Sequence, residues 1–158
     1  ITVGSAAQIK STWALATTPG SVFPRWLRDT VVWEASDPYL YVRATSDGRL
    51  IAGGEDAPAL RAEHSARERD RKTNHIAAKL RGLIPEVSFT VSHRWEGTFG
   101  ESATGLPIIS ALPDWPRCYC VAGLGGNGIT FSQVAADVIT STIGGRSVPS
   151  LDLFGVPA

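Results

Sequence analysis

Hydrophobic and polar residues alternate along much of the first half of the chain, as they do in half-buried β-strands. The clearest run covers residues 39–45, where the even-numbered residues are apolar and the odd-numbered ones are aromatic or polar. Such a strand buries one face and presents Tyr39, Tyr41 and Arg43 together on the other. Similar runs predict further strands at residues 8–18, 31–33 and 89–95.

A hairpin is predicted after the clearest of these strands. Asp47 and Gly48 are favoured turn residues, and residues 49–52 should return antiparallel to the strand before them. Two consecutive glycines, Gly53 and Gly54, then lack the side chains that a strand packs, so we expect them to break the returning strand.

Helical spacing of apolar residues first appears after residue 72. Thr73 has the character of an N-cap, and Pro85 ends the pattern because proline cannot continue a helix. Residues 61–72 before it are nearly all polar or charged and carry no apolar stripe, which predicts a solvated connection.

A strand, a glycine loop and a helix follow one another over residues 118–143. The first five residues are rich in aromatic and small apolar side chains and predict a short buried strand. The helix is expected to start at Thr130 or Ser132, both good N-caps, and to stop at Gly144 and Gly145.

The glycine loop, residues 123–128, matches the pattern G-x-G-x-x-G between a strand and a helix, which is the dinucleotide fingerprint. A Rossmann unit also needs a second parallel strand with an acidic residue about 20 positions further on. Residues 144–146 occupy that position here, without an acid or room for the strand. Two interpretations therefore stay open, contact with another part of a ligand and a tight turn without a ligand, and we favour the first.

Charge and composition limit the classes of partner. The 158 residues include 15 basic and 15 acidic side chains, so a net charge of zero gives no electrostatic reason to expect nucleic acid or an anionic membrane. Cys118 and Cys120 are interpreted as reduced core residues of a cytoplasmic protein. The three histidines show no ligand spacing, so no metal site is predicted. Because the chain begins at Ile1 and contains no methionine, we expect it to be a piece of a longer protein.

The elements in chain order predict an α+β fold with a mainly antiparallel sheet. Residues 100–105 are expected to form a loop and residues 106–109 a brief strand before the strand, glycine loop and helix.

Five ordered blocks of sequence resemble the C-terminal half of FAD-dependent oxidoreductases of the D-amino-acid and glycine oxidase superfamily. The resemblance extends from about Ser11 to Phe154, and it rests on residues 39–43, 46–56, 94–100, 105–109 and 123–132. It implies a two-domain flavoprotein, with residues 1–96 in the substrate-binding (cap) domain and residues 97–158 in the C-terminal part of the FAD-binding domain.

The resemblance also implies FAD as the cofactor. No cysteine lies near Gly97 or Phe99, where some members tether the flavin, so attachment should be non-covalent. The predicted cofactor-binding residues are Gly97, Gly125, Gly126, Asn127, Gly128, Ile129 and Thr130. Backbone N–H groups at the start of the helix would stabilise the negative charge of a reduced flavin. The true dinucleotide fingerprint would precede Ile1, so this chain alone is expected to bind FAD weakly or not at all.

An amine or amino-acid substrate, oxidised at a C–N bond by hydride transfer to FAD, follows from the same resemblance. Many members clamp the substrate carboxylate with an Arg-Pro pair, and Phe99 and Gly100 stand there instead. Arg43, beside Tyr41, is the best alternative clamp, although it could equally be an arginine that extends from a sheet edge into solvent. No catalytic acid, base or nucleophile is predicted, which agrees with chemistry carried by the cofactor.

Two further expectations concern partners. The alternative to an enzyme is a non-catalytic binding or assembly module that retains the flavoprotein fold. The last helix should expose Val134, Val138 and Ile139 if its sheet is absent, so self-association through that face is a possible outcome.

Overall fold

The computed structural model of the chain describes residues 7–59, 65–148 and 151–154. Contacts divide the chain into two compact units. The first is Ser11–Thr98, and the second combines the described residues of Ile1–Lys10 with those of Phe99–Ala158. The predicted assignment of residues 1–96 to a substrate domain and 97–158 to a FAD domain stays a prediction.

Helices and antiparallel strands are both present, which confirms the α+β class. Strands β1 to β5 are Ala7–Thr17, Val31–Glu34, Leu40–Ala44, Leu50–Pro58 and Val91–Ser102, and they form one sheet in the order β2-β3-β4-β1-β5. Strands β6 (Ile108–Ala111) and β7 (Tyr119–Ala122) pair in a second sheet. The helices are α1 (Ala66–Leu83) and α2 (Gly128–Ile143), with 3-10 segments at Arg25–Asp29, Gly125–Asn127 and Leu151–Phe154.

The predicted alternation along β3 is confirmed. Leu40 and Val42 are buried and Arg43 is exposed. The buried side of the sheet packs against α1 in a core formed by Trp13, Leu15, Leu40, Val42, Leu50, Ala52, Ile76, Ala77 and Leu80. The tyrosines of β3 therefore lie on the opposite face of the sheet.

Strand β4 continues through the two glycines to Pro58, so the prediction that they break it is wrong. Gly53 pairs with Tyr41 and Gly54 with Leu40 in the β3–β4 ladder. A Cβ at Gly53 would meet the Tyr41 ring, so this glycine makes room for a neighbouring side chain instead of ending the strand.

The chain changes face at Gly54 and Glu55, whose φ angles are +144° and +61°. Glu55 thereby turns towards α1, where its carboxylate contacts Lys72 Nζ at 3.4 Å and His75 Nδ1 at 3.0 Å. A local reversal of this kind is what a β-bulge produces, and it places Asp56 on the face of the tyrosines.

Helix α1 begins at Ala66, so the solvated connection predicted up to residue 72 is wrong over its described part, and residues 61–64 lie outside the described residues. Ser65 is the N-cap, and its side chain accepts a hydrogen bond from the Glu68 N–H. Thr73, the predicted N-cap, is fully buried in mid-helix, where its hydroxyl donates to the Arg69 carbonyl at 2.7 Å.

In the second unit, three local predictions are wrong. Strand β5 runs to Ser102, so residues 100–102 are not loop. The β7 strand is not buried: Val121 is 39% exposed. Cys118 is exposed and Cys120 is half-buried, because β7 pairs only with β6 among the described strands, and neither is a core residue.

Helix α2 begins at Gly128, two residues before the nearer predicted start, and ends as predicted before Gly144. Val138 is buried, and Val134 and Ile139 are partly buried, in a cluster with Ile109 and Phe154. The apolar face on which self-association was predicted is therefore partly covered within the chain, and self-association stays a prediction. Among the described residues, no helix is long and apolar enough to cross a membrane.

Candidate functional site

The sheet face opposite α1, called here the open face, gathers most of the candidate substrate residues. Register places Trp33 of β2 opposite Tyr41 of β3, so both side chains lie on this face. On β1, Thr12 lies between the buried residues Ser11 and Trp13. Thr12 also lies 4.0 Å from the position of a Cβ at Gly97, so the predicted cofactor residue Gly97 adjoins the open face.

Tyr39 is the centre of an aromatic group on the open face. Its ring stacks on Tyr41 with centroids 6.4 Å apart and planes 27° apart. Trp33 lies on another side of it, also at 6.4 Å between centroids but tilted by 53°. Three aromatic rings thus form one continuous surface, of which Trp33 is 63% exposed.

A carboxylate lies against this aromatic group. Burial, and then the negative charge of Asp56, raise the pKa of Tyr39 far above its usual range. The same two causes raise the pKa of Tyr41, while Arg43 lowers it. Both phenols therefore stay protonated near neutral pH. The Tyr39 hydroxyl donates to the Asp56 side chain, whereas the Tyr41 hydroxyl can donate to a ligand.

Arg43 lies two residues along β3 from Tyr41, in register with Val31 and Ile51. Its side chain is exposed, and it makes no hydrogen bond or ion pair to the residues that the structure describes. The structure thus places the two predicted substrate residues, Arg43 and Tyr41, side by side. The planar guanidinium can donate two parallel hydrogen bonds to a carboxylate.

The glycine turn, residues 123–128, belongs to the second unit. Gly123 has φ +64° and lies against Ser102, where a Cβ would come within 3.2 Å of the serine Cβ. Gly125 has φ +57°, a left-handed conformation that favours glycine. Around Gly126 a Cβ would meet nothing within 4 Å, so its backbone is open to a ligand.

The turn leads directly into α2, whose N-cap is Asn127 and whose N-terminus no side chain caps. Asn127 and Thr130 are exposed, Gly128 is half-buried, and Ile129 is 94% exposed. Ser132, one of the predicted N-caps, donates instead to the Gly128 carbonyl at 2.6 Å. The N–H groups of the first turn are thus available to partial negative charge, as a flavin edge would require.

Sequence reasoning missed Asp56 as a site residue because the segment 53–56 was interpreted as a break in the strand. The signal that could have found it was the Gly-Gly-Glu-Asp sequence inside an otherwise regular strand, which is typical of a bulge. No cluster of three metal-ligating side chains occurs among the residues covered by the structure.

The family model for FAD dependent oxidoreductases (DAO) matches residues 8–142. The chain belongs to this family. Comparison with curated protein sequences finds no match.

Several solved structures share the fold. Glycine oxidase from Geobacillus kaustophilus is 20% identical with a TM-score of 0.70, covering 96% of this chain and 39% of its own. L-proline dehydrogenase from P. horikoshii is 17% identical with a TM-score of 0.71, and the match covers 94% of this chain and 39% of the dehydrogenase. Iminodiacetate oxidase from a Chelativorans species is 20% identical with a TM-score of 0.66, and the match covers 96% of this chain and 40% of the oxidase. The chain thus spans about two fifths of the length of these structures.

Proposed function

We propose that the protein containing this chain is a FAD-dependent oxidoreductase that oxidises a C–N bond of an amine or amino acid. Membership of the family supports the flavin, and the names of the similar structures support amine chemistry. The observation that carries the proposal is the glycine turn, because its open backbone at Gly126 and the uncapped start of α2 fit a flat, partly negative group.

FAD, when bound, supplies the acceptor for the hydride that leaves the substrate carbon. The chain's own residues bind the flavin and the substrate and hold them in position. The N–H groups of Gly128, Ile129 and Thr130 stabilise the negative charge of the reduced flavin. Gly125 and Gly126 permit the flavin to approach the backbone closely. Arg43 holds a substrate carboxylate, and Tyr41 donates from its hydroxyl. The non-covalent attachment of FAD and the cytoplasmic location stay predictions.

Anaerobic mixing tests the proposal. The purified protein that contains this chain should carry flavin, and its visible flavin absorbance should bleach when an amine or amino acid from a panel is added. A protein without flavin contradicts the proposal. Bound flavin that no amine reduces favours the alternative, a binding or assembly module that retains the fold.

Gly126→Ala tests the glycine turn itself. A methyl group there meets no atom of the described residues within 4 Å, so stability should not fall. Flavin affinity should drop at least tenfold, because the ligand loses its close approach to the backbone. Gly82→Ala on α1 is the matched control, since a Cβ there also meets nothing within 4 Å. Unchanged flavin affinity in the Gly126 variant would show that the turn does not contact the cofactor.

A further inference from the structure

The Asp56 side chain accepts a hydrogen bond from Tyr39, but one of its two carboxylate oxygens has no partner among the described residues. This oxygen, Oδ1, is buried. A buried carboxylate oxygen without a partner costs free energy, and folds retain such groups where a ligand or a catalytic function uses them. The bulge at Gly54 and Glu55 is what turns this carboxylate to the open face.

Among the residues that the structure describes, no cation forms an ion pair with Asp56. On the α1 side of the sheet, Lys72 and His75 pair with Glu55, not with Asp56. Arg43 also belongs to the open face, but it lies four positions along the chain from Tyr39, or about 13 Å at the usual rise of a strand. At such a separation, salt largely screens the attraction between charges near the surface.

The side chains around the carboxylate are those that attract cations. Tyr39 contacts Tyr41 on one side and Trp33 on another, each with centroids 6.4 Å apart. The faces of aromatic rings carry negative potential, and sets of two or three rings recognise alkylated ammonium groups in proteins. A carboxylate beside the rings adds to the same potential.

We infer that Asp56 and the rings of Trp33, Tyr39 and Tyr41 form a subsite for a positively charged nitrogen, so that the substrate is a cationic amine. The inference rests on the proposed function and narrows its substrate class. Arg43, at the far end of the tyrosine pair, is placed for a carboxylate. A substrate that uses both ends is an extended zwitterion in which the cationic nitrogen and the carboxylate are several bonds apart.

Calorimetric titration of the flavin-loaded protein with choline tests the subsite. The comparison ligand is the uncharged isostere of choline, in which carbon replaces the quaternary nitrogen. Choline should bind at least ten times more tightly than the isostere. Asp56→Asn should weaken choline binding at least tenfold and leave binding of the isostere unchanged. Asp29→Asn, which makes the same charge change at an exposed site, should alter the binding of neither ligand. Equal binding of the two ligands, or choline affinity that survives Asp56→Asn, overturns the inference.

Trp33→Leu tests the subsite independently if the Asp56 variant does not fold. Trp33 is 63% exposed, so its replacement should leave the fold intact, while choline binding should weaken several-fold. Trp115→Leu, at a side chain that is 56% exposed in the other unit, is the control and should have no effect. Unchanged choline binding in the Trp33 variant counts against the subsite.

The outcomes separate the subsite from the proposed function. Flavin that is present and reduced by amines, combined with no preference for choline, rejects the subsite and leaves the function standing. A clear preference for choline in a protein without flavin rejects the function and leaves the subsite standing.

Discussion

Tyr41 lies across the backbone of Gly53 on the neighbouring strand, where a Cβ would come within 2.5 Å of the tyrosine ring carbon Cζ. The two residues are direct partners in the β3–β4 register. The missing side chain is therefore what lets the ring lie flat on the sheet beside Tyr39. The orientation of a candidate substrate residue thus depends on a glycine in the next strand.

Gly53→Ala should destabilise the protein by about 1 to 3 kcal/mol, because the methyl group must displace a packed ring. Denaturant unfolding measures the loss. Gly82→Ala, in the open on α1, should be neutral or stabilising by up to about 1 kcal/mol. In a double-mutant cycle, Tyr41→Ala should remove most of the cost of Gly53→Ala, and additive effects of the two changes would contradict the contact.

Arg43→Lys should lower kcat/KM of the flavin-loaded protein by an amount equivalent to about 1.5 to 3 kcal/mol for substrates that carry a carboxylate, because lysine cannot reproduce the planar fork. Amines without a carboxylate should be unaffected. Arg67→Lys, at an exposed position on α1, is the control. Unchanged kinetics with carboxylate substrates would assign Arg43 a structural role.

Glu55→Gln should destabilise the protein by about 3 kcal/mol. The side chains of Glu55 and Lys72 are only 5% and 12% exposed. Loss of the carboxylate therefore leaves a poorly solvated ammonium without an opposite charge, although it still donates to the Glu55 carbonyl at 3.0 Å. Lys72 lies over the Trp13 ring at 4.8 Å from its centroid, which offsets only part of that loss. Thermal unfolding should show the drop, whereas Glu86→Gln at an exposed site should change little.

Asp47 should contribute stability that depends on pH. Hydrogen bonds from Thr45 and then Arg49 lower the pKa of its carboxyl group in the folded state. A lowered folded pKa means that the contribution is complete above the unfolded value of 3.8 and disappears as the pH falls through the folded value. The free energies of unfolding of the natural chain and of Asp47→Asn should therefore differ at neutral pH and converge in acid. A difference that is constant with pH would refute the carboxylate's role.

The chain by itself should bind FAD weakly. The glycine turn offers only a few backbone donors, each worth about 0.5 to 1.5 kcal/mol, against a cost of about 4 kcal/mol or more for immobilising a free ligand. Fluorescence titration of FAD into the 158-residue chain measures this directly. Sub-micromolar affinity would show that the turn is the main cofactor site and that the Rossmann interpretation was rejected wrongly.

The sequence by itself determined the features that depend on near neighbours in the chain. Alternation along residues 39–45 assigned Tyr41 and Arg43 to one face of β3, because the side-chain period of a strand is two. The glycines after β7 indicated the turn before α2, and Gly144 indicated the end of that helix. The ordered blocks were enough to identify the family, and the order of the predicted elements gave the α+β class.

Only the tertiary structure decided the features that depend on distant parts of the chain. The polar start of α1 carries no apolar stripe, so the sequence did not predict a helix there. The structure shows why it is helical: Lys72 pairs with Glu55 and Thr73 is buried. Gly53 had the sequence character of a strand break, and its actual function is to make room for Tyr41. Asp56 lies on the open face because of the bulge at Gly54 and Glu55. The strand that pairs there, β3, lies more than ten residues earlier in the chain. Pairing and packing across the sheet override local propensity wherever the stabilising contact is made by residues far apart in sequence.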